Sequence, residues 1–144
     1  VIKTRTMADM KSLKSVNFPL AKNFGGDGCI KASESLEFIE LPLMELTPTD
    51  SEQFANSYTK HISLPKTKNF RRDNFYQNIY TEVLNLPSLE NFDSESPASN
   101  ETLYGFPQNL TINLPIALET TPNTVVREWI DLMVSLKNAT INYV

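Results

Sequence analysis

The sequence predicts a single α+β domain, rich in β-structure and closed by an amphipathic helix near its C-terminus. Three observations lead there. Its 144 residues are the length of one ordinary domain, with 40% hydrophobic and 21% charged residues, near globular averages. Leu110, Ile112, Leu114, Ile116 and Leu118 alternate with polar or small residues, the period of a strand with one buried face. The period then changes: Val126, Trp129, Ile130, Met133 and Val134 recur at spacings of three and four, one face of a helix.

The helix is expected over about 122–137, with Thr121 as N-cap and Pro122 in the first turn, where its missing N–H costs nothing. Pro115 cannot donate to a sheet ladder, so the strand before the helix is expected at an edge or with a bulge. Upstream, 35–46 suggests a strand bent at Pro42, and 60–65 a short strand. Residues 74–86 fit helix or strand, with strand preferred for their aromatic and β-branched content. The glycines of 23–29 predict a turn. The serine- and acid-rich stretch 87–102 predicts a long surface loop. No internal repeat is evident at this level.

Charge is uneven along the chain. The net charge is -4 with pI near 5.0, which disfavours a dedicated nucleic-acid binder. Residues 59–72 hold Lys60, Lys66, Lys68, Arg71 and Arg72 with no acid, whereas 73–126 contain only acids among their charged residues. Two oppositely charged faces would result if these segments fall on different sides.

Catalytic signatures are not found. Gly25, Gly26 and Gly28 lack the Lys-Ser/Thr of a phosphate-binding loop. One cysteine and one histidine cannot build a His/Cys zinc site, and nothing local makes Cys29 and His61 a nucleophile and base. Glu37, Glu40 and Glu45 suit solvated strand positions and lack calcium-loop spacing. Tyr76 and Tyr80 suit core packing better than a binding surface. Sequons at Asn100, Asn109 and Asn138 occur about as often as chance gives. No enzyme activity, metal or cofactor is expected. The lone cysteine favours a cytoplasmic or nuclear location, peripheral at membranes if lipid is the ligand. No stretch is apolar over the roughly 18 residues of a membrane span. The chain opens on Val1, as expected of a piece of a longer protein.

A final strand leading into "VVREWIDLMVSL" resembles the end of a pleckstrin-homology (PH) domain, with Trp129 as the matching tryptophan. The resemblance covers 110–138 only. It implies a mainly antiparallel, strongly bent sheet or barrel with the helix closing one end, and as ligand either a protein or a phosphoinositide headgroup. The family's ligand positions find no match in Lys3, Arg5, Lys11 or Lys14. From the residues themselves, the anionic-ligand or partner site is Lys60, Lys66, Lys68, Arg71 and Arg72, arginine's planar fork suiting phosphate. The competing role for this run is an ordinary solvated strand edge. The expected function is a noncatalytic module that binds a protein partner within a larger regulatory or scaffolding protein. The alternatives are binding to an anionic membrane surface and a structural subunit of an assembly.

Overall fold

Five times the chain runs apolar, any residue, apolar, proline: at 16–19, 39–42, 62–65, 84–87 and 112–115. Each run is a short strand that its proline ends, because proline lacks the N–H that would continue the ladder. In the computed structural model, which describes residues 1–3, 7, 9–26, 28–30, 32–47, 52–75, 78–92 and 106–144, these runs lie side by side.

The strands are β1 (Ile2–Lys3), β2 (Ser15–Asn17), β3 (Phe24–Gly25), β4 (Phe38–Glu40), β5 (His61–Ser63), β6 (Asn69–Phe70), β7 (Val83–Asn85), β8 (Asn91–Phe92), β9 (Thr111–Leu114) and β10 (Thr140–Tyr143), with helix α1 (Thr124–Lys137) between the last two. One sheet of six strands has the order β10-β9-β7-β5-β4-β2, and every pairing in it is parallel. Two smaller sheets, β1-β3 and β6-β8, are parallel too. The register aligns Val16, Ile39, Ile62, Leu84, Ile112 and Ile141, at steps of 23, 23, 22, 28 and 29 residues. The chain is therefore a parallel solenoid that adds one strand to the main sheet with each coil.

This overturns the mainly antiparallel, PH-like bent sheet or barrel. Alternation of apolar and polar residues fixes which side chains point inward, but it is the same for parallel and antiparallel partners. The direction is set by what joins the strands, here a full coil of about 22 residues or more, long enough for the crossover that parallel pairing requires. The repeat, not evident in the sequence reading, is present in every coil of the main sheet.

Inward residues form stacked rows. Val16, Ile39, Ile62, Leu84 and Ile112 are buried, as are Leu41, Leu64, Leu86 and Leu114 in the next inward row. On a third side the backbone continues the ladder: Met7 N–H donates to Cys29 O, Ile30 N–H to Gln53 O, and Phe54 N–H to Asn74 O. A buried polar column stands between this side and the main sheet. Thr81 Oγ1 donates to Thr59 O (2.8 Å), Asn78 Nδ2 to Ser57 Oγ (3.2 Å), and Ser33 Oγ to Met7 O (3.0 Å), so these buried groups are paired.

Other expectations fare variously. Pro42 ends β4 instead of bending a longer strand, and β5 falls within 60–65. Within 74–86 only Val83–Asn85 is strand. Pro115 lies just after β9, so β9 can sit inside the sheet and no bulge is needed. The end of the chain adds the edge strand β10. Gly26 and Gly28 adopt positive φ (149° and 60°) in the expected turn. Arg5, Tyr76, Asn100 and most of the loop at 87–102 lie outside the described residues.

Helix α1 begins two residues later than expected. Its N-cap is Asn123, whose side chain accepts from the N–H groups of Val125 (3.1 Å) and Val126 (3.3 Å), while Thr121 Oγ1 accepts from Asn123 N–H (3.2 Å). The left-handed Asn138 (φ 52°) ends it. Val126, Trp129, Ile130 and Met133 are buried, but Val134, expected on the same face, is exposed. The Trp129 ring lies 5.0 Å from that of Phe92 on β8. The tryptophan thus fills the interior of the long last coils.

Truncations of Trp129 and Leu84 to alanine are expected to cost about 3–5 and about 2–5 kcal/mol respectively. Urea unfolding followed by circular dichroism measures both. Near-neutrality of Trp129→Ala would remove α1 from the core.

Candidate functional site

In-register stacking brings equivalent residues of successive coils about 4.8 Å apart, so each outward position becomes a row. The outward face of the main sheet carries two. One holds Ser15, Phe38, His61, Val83, Thr111 and Thr140; the other Asn17, Glu40, Ser63, Asn85, Asn113 and Asn142. Phe38 and His61 stack with centroids 4.9 Å apart and planes 6° apart. Along the second row amides donate to their neighbours: Asn17 to Glu40 (3.2 Å), Asn85 to Ser63 (3.1 Å), Asn142 to Asn113 (3.1 Å).

Charges beside the sheet are ordered in the same way. Just before the strands the positions run Lys14, Glu37, Lys60, Glu82; eight residues on in each coil they run Lys22, Glu45, Lys68, Glu90. Sign alternates from coil to coil in both. Lys14 pairs with Glu37 (3.1 Å), Lys60 with Glu82 (3.6 Å) and Lys68 with Glu90 (2.6 Å). The hydrogen bond and charge of Glu90, with Glu45 adding attraction, raise the pKa of Lys68 above the ordinary lysine value.

The five cations of the sequence-based site are thereby placed, but not together. Lys60 borders the main sheet, Lys66 is exposed in the turn after β5, and Lys68 leads into β6 in a different sheet. Arg71 pairs with Asp73 at 3.0 Å. Arg72 begins the 3-10 turn Arg72–Phe75, and its side chain lies outside the described residues. The run is wound around one coil. Nor do the acidic and basic segments form opposite faces, because Glu82 and Glu90 sit one coil after Lys60 and Lys68 and neutralise them.

Sequence reasoning missed the tyrosines. Tyr80, expected in the core, is 46% exposed and stacks on Tyr58, 43% exposed, with centroids 4.3 Å apart and planes at 13°. Both stand three residues before a strand, an equivalence the repeat would have revealed. The hydroxyl of Tyr58 hydrogen-bonds that of Tyr80, and this contact, aided by nearby Glu34, raises the Tyr58 pKa above 10.0. Beside the pair opens a groove of about 320 Å³, lined among others by Lys14, Glu34, Ser35, Glu37, Tyr58 and Lys60.

Other chemistry is not assembled. Cys29 is buried, its thiol directed at the carbonyls of Gly26 (3.1 Å) and Ile2 (3.4 Å), whereas His61 lies on the outward face of the sheet. Among the described residues no group of three or more His, Cys, Asp or Glu side chains could hold a metal ion, and no helix is long and apolar enough to cross a membrane.

Because folding raises the Tyr58 pKa, the stability this contact adds is complete below the ordinary tyrosine value and fades as pH rises through the folded one. Absorbance titration of tyrosinate should show Tyr58 ionising late, and Tyr80→Phe should move it earlier. Glu37→Lys/Glu45→Lys, which sets three lysines in succession in each row, should lower the urea midpoint, with the deficit shrinking in added salt.

No protein-family model, curated protein or solved structure matches the chain, so its function has to be argued from this geometry.

Proposed function

We propose that the chain is a noncatalytic interaction module that binds a protein partner through the outward face of its six-stranded sheet. The observation that carries this reading is the exposed aromatic and apolar group on that face: Phe38 is 50% exposed, and Tyr58 and Tyr80 stand at its border. A rigid parallel sheet holds these groups at fixed spacing, so a partner meets them without an ordering cost in the backbone. Aromatic side chains amid paired polar groups are the usual composition of an interface centre and its rim. Solenoids with one strand in each coil of about 20–29 residues, the leucine-rich class among them, present extended surfaces suited to this task.

The wound basic run supports a membrane surface less well. Lys60, Lys68 and Arg71 are each matched to an acid within 4 Å, and a lipid headgroup would have to compete with that partner. A place within a larger regulatory or scaffolding protein accords with a module that offers a surface and no reaction.

Cross-linked capture from cell extract, compared across variants, tests the reading. Phe38→Asp/Val83→Asp on the sheet face should abolish the specific capture, while Lys66→Glu/Lys68→Glu should leave it intact. The reverse pattern, with cosedimentation on phosphoinositide vesicles that the second variant abolishes, would transfer the function to the basic coil. Concentration-dependent mass in light scattering, lost with the face variant, would instead make the partner a second copy.

A further inference from the structure

The tyrosine stack stops after two rungs. Tyr58 and Tyr80 occupy the position three residues before the strand, and the preceding coil has Ser35 there. One side of Tyr58 is covered by Tyr80. Toward the other coil, where an aromatic rung would continue the stack, serine leaves room, and this is where the groove of about 320 Å³ lies.

The charges around the groove favour one sign. Lys14 and Lys60 line it, but each is held by a carboxylate of an adjacent coil, Glu37 at 3.1 Å and Glu82 at 3.6 Å. Glu34 lines it as well and has no ion pair among the described residues. The unbalanced charge is therefore negative and lies beside the tyrosine ring. A flat cation answers both features, stacking on the ring face while donating to a carboxylate. The guanidinium group is planar and weakly hydrated and presents a donor fork; an ammonium is compact, strongly hydrated and cannot stack.

We infer that the groove beside Tyr58 receives an arginine side chain of the protein partner, its guanidinium completing the tyrosine stack at the Ser35 rung and pairing with Glu34. The inference rests on the sheet-face reading and names the chemistry that reading requires of the partner. Glu37 and Lys14 border the same groove, and their mutual pairing keeps Lys14 from occupying it.

The test is an NMR titration of the intact 144-residue chain with acetyl-arginine methylamide, and in parallel with the lysine and citrulline equivalents. Citrulline keeps the planar group and lacks its charge. Shifts confined to residues 34–37, 58–60 and 80–82 that saturate with the arginine compound, at least about threefold more tightly than with either comparator, support the assignment. Glu34→Gln and Tyr58→Leu should each weaken that binding by a similar factor, while Lys66→Glu leaves it unchanged. Unchanged amide spectra away from the groove show that a variant remains folded. Absence of localised shifts, or equal response to citrulline or lysine, overturns the arginine slot. If the slot fails while Phe38→Asp/Val83→Asp still abolishes capture, the sheet-face reading survives alone. If arginine binds while capture ignores the face variant, the slot stands and the larger surface does not.

Discussion

Every coil of this protein is fixed to the next by parallel backbone hydrogen bonds in strict register. The main sheet pairs strand to strand from β2 to β10, and a second ladder on the third side joins Met7, Cys29, Ile30, Gln53, Phe54 and Asn74. Strands of three or four residues cannot hold together by themselves. Their stability comes from stacking, where each added coil satisfies the ladder of the one before and buries its own Ile, Leu or Val row against it. A one-residue slip would turn that row outward, so the apolar row and the backbone ladder enforce the same alignment.

The same register constrains the surface. Identical residues in successive coils would sit about 4.8 Å apart, which is harmless for an amide and unfavourable for a charge. An asparagine both donates and accepts, so Asn113 can be followed by Asn142, and Asn69 by Asn91, with the side chains bonded at 3.1 Å in each pair. Charged positions instead alternate, Lys-Glu-Lys-Glu, in two columns at once. Each pair is exposed and adds little alone, but the alternation disfavours any stacking that skips a coil. The chemistry of the outer face is in this sense a consequence of the backbone pairing.

Much of this was written in the sequence at a spacing that local reading does not reach. The helix was legible because its period of 3.6 is contained in fourteen residues, and Trp129 lies on its buried side as the pattern requires. The β-strands were legible only as positions. Ile62 and Leu84 are each the centre of a three-residue strand, and nothing within three residues specifies a parallel neighbour. The signal that does is the proline two residues beyond each central apolar residue, at Pro19, Pro42, Pro65, Pro87 and Pro115. Its spacing drifts because the last coils take up α1, which breaks the simple period just where the pattern is otherwise clearest. The likeness of 110–138 to a PH terminus arose from that local strand and helix, which determine neither strand direction nor what lies upstream.

The charge map shows why a functional site was harder to read than the fold. A run of cations followed by a run of acids looks like segregation in one dimension. Wound at 22 residues per turn, it becomes pairing, and the five cations separate around a coil. The tyrosines behave in the opposite way: separated by 22 residues, they meet in space. Where a solenoid row is regular, its side chains satisfy one another and leave little for a ligand to gain. Where a row is interrupted, as at Ser35 below Tyr58, a ring face and a carboxylate are left without the neighbour that the pattern supplies elsewhere. In a protein built by repetition, binding chemistry therefore concentrates at departures from the repeat, and these can be recognised only after the repeat itself has been aligned.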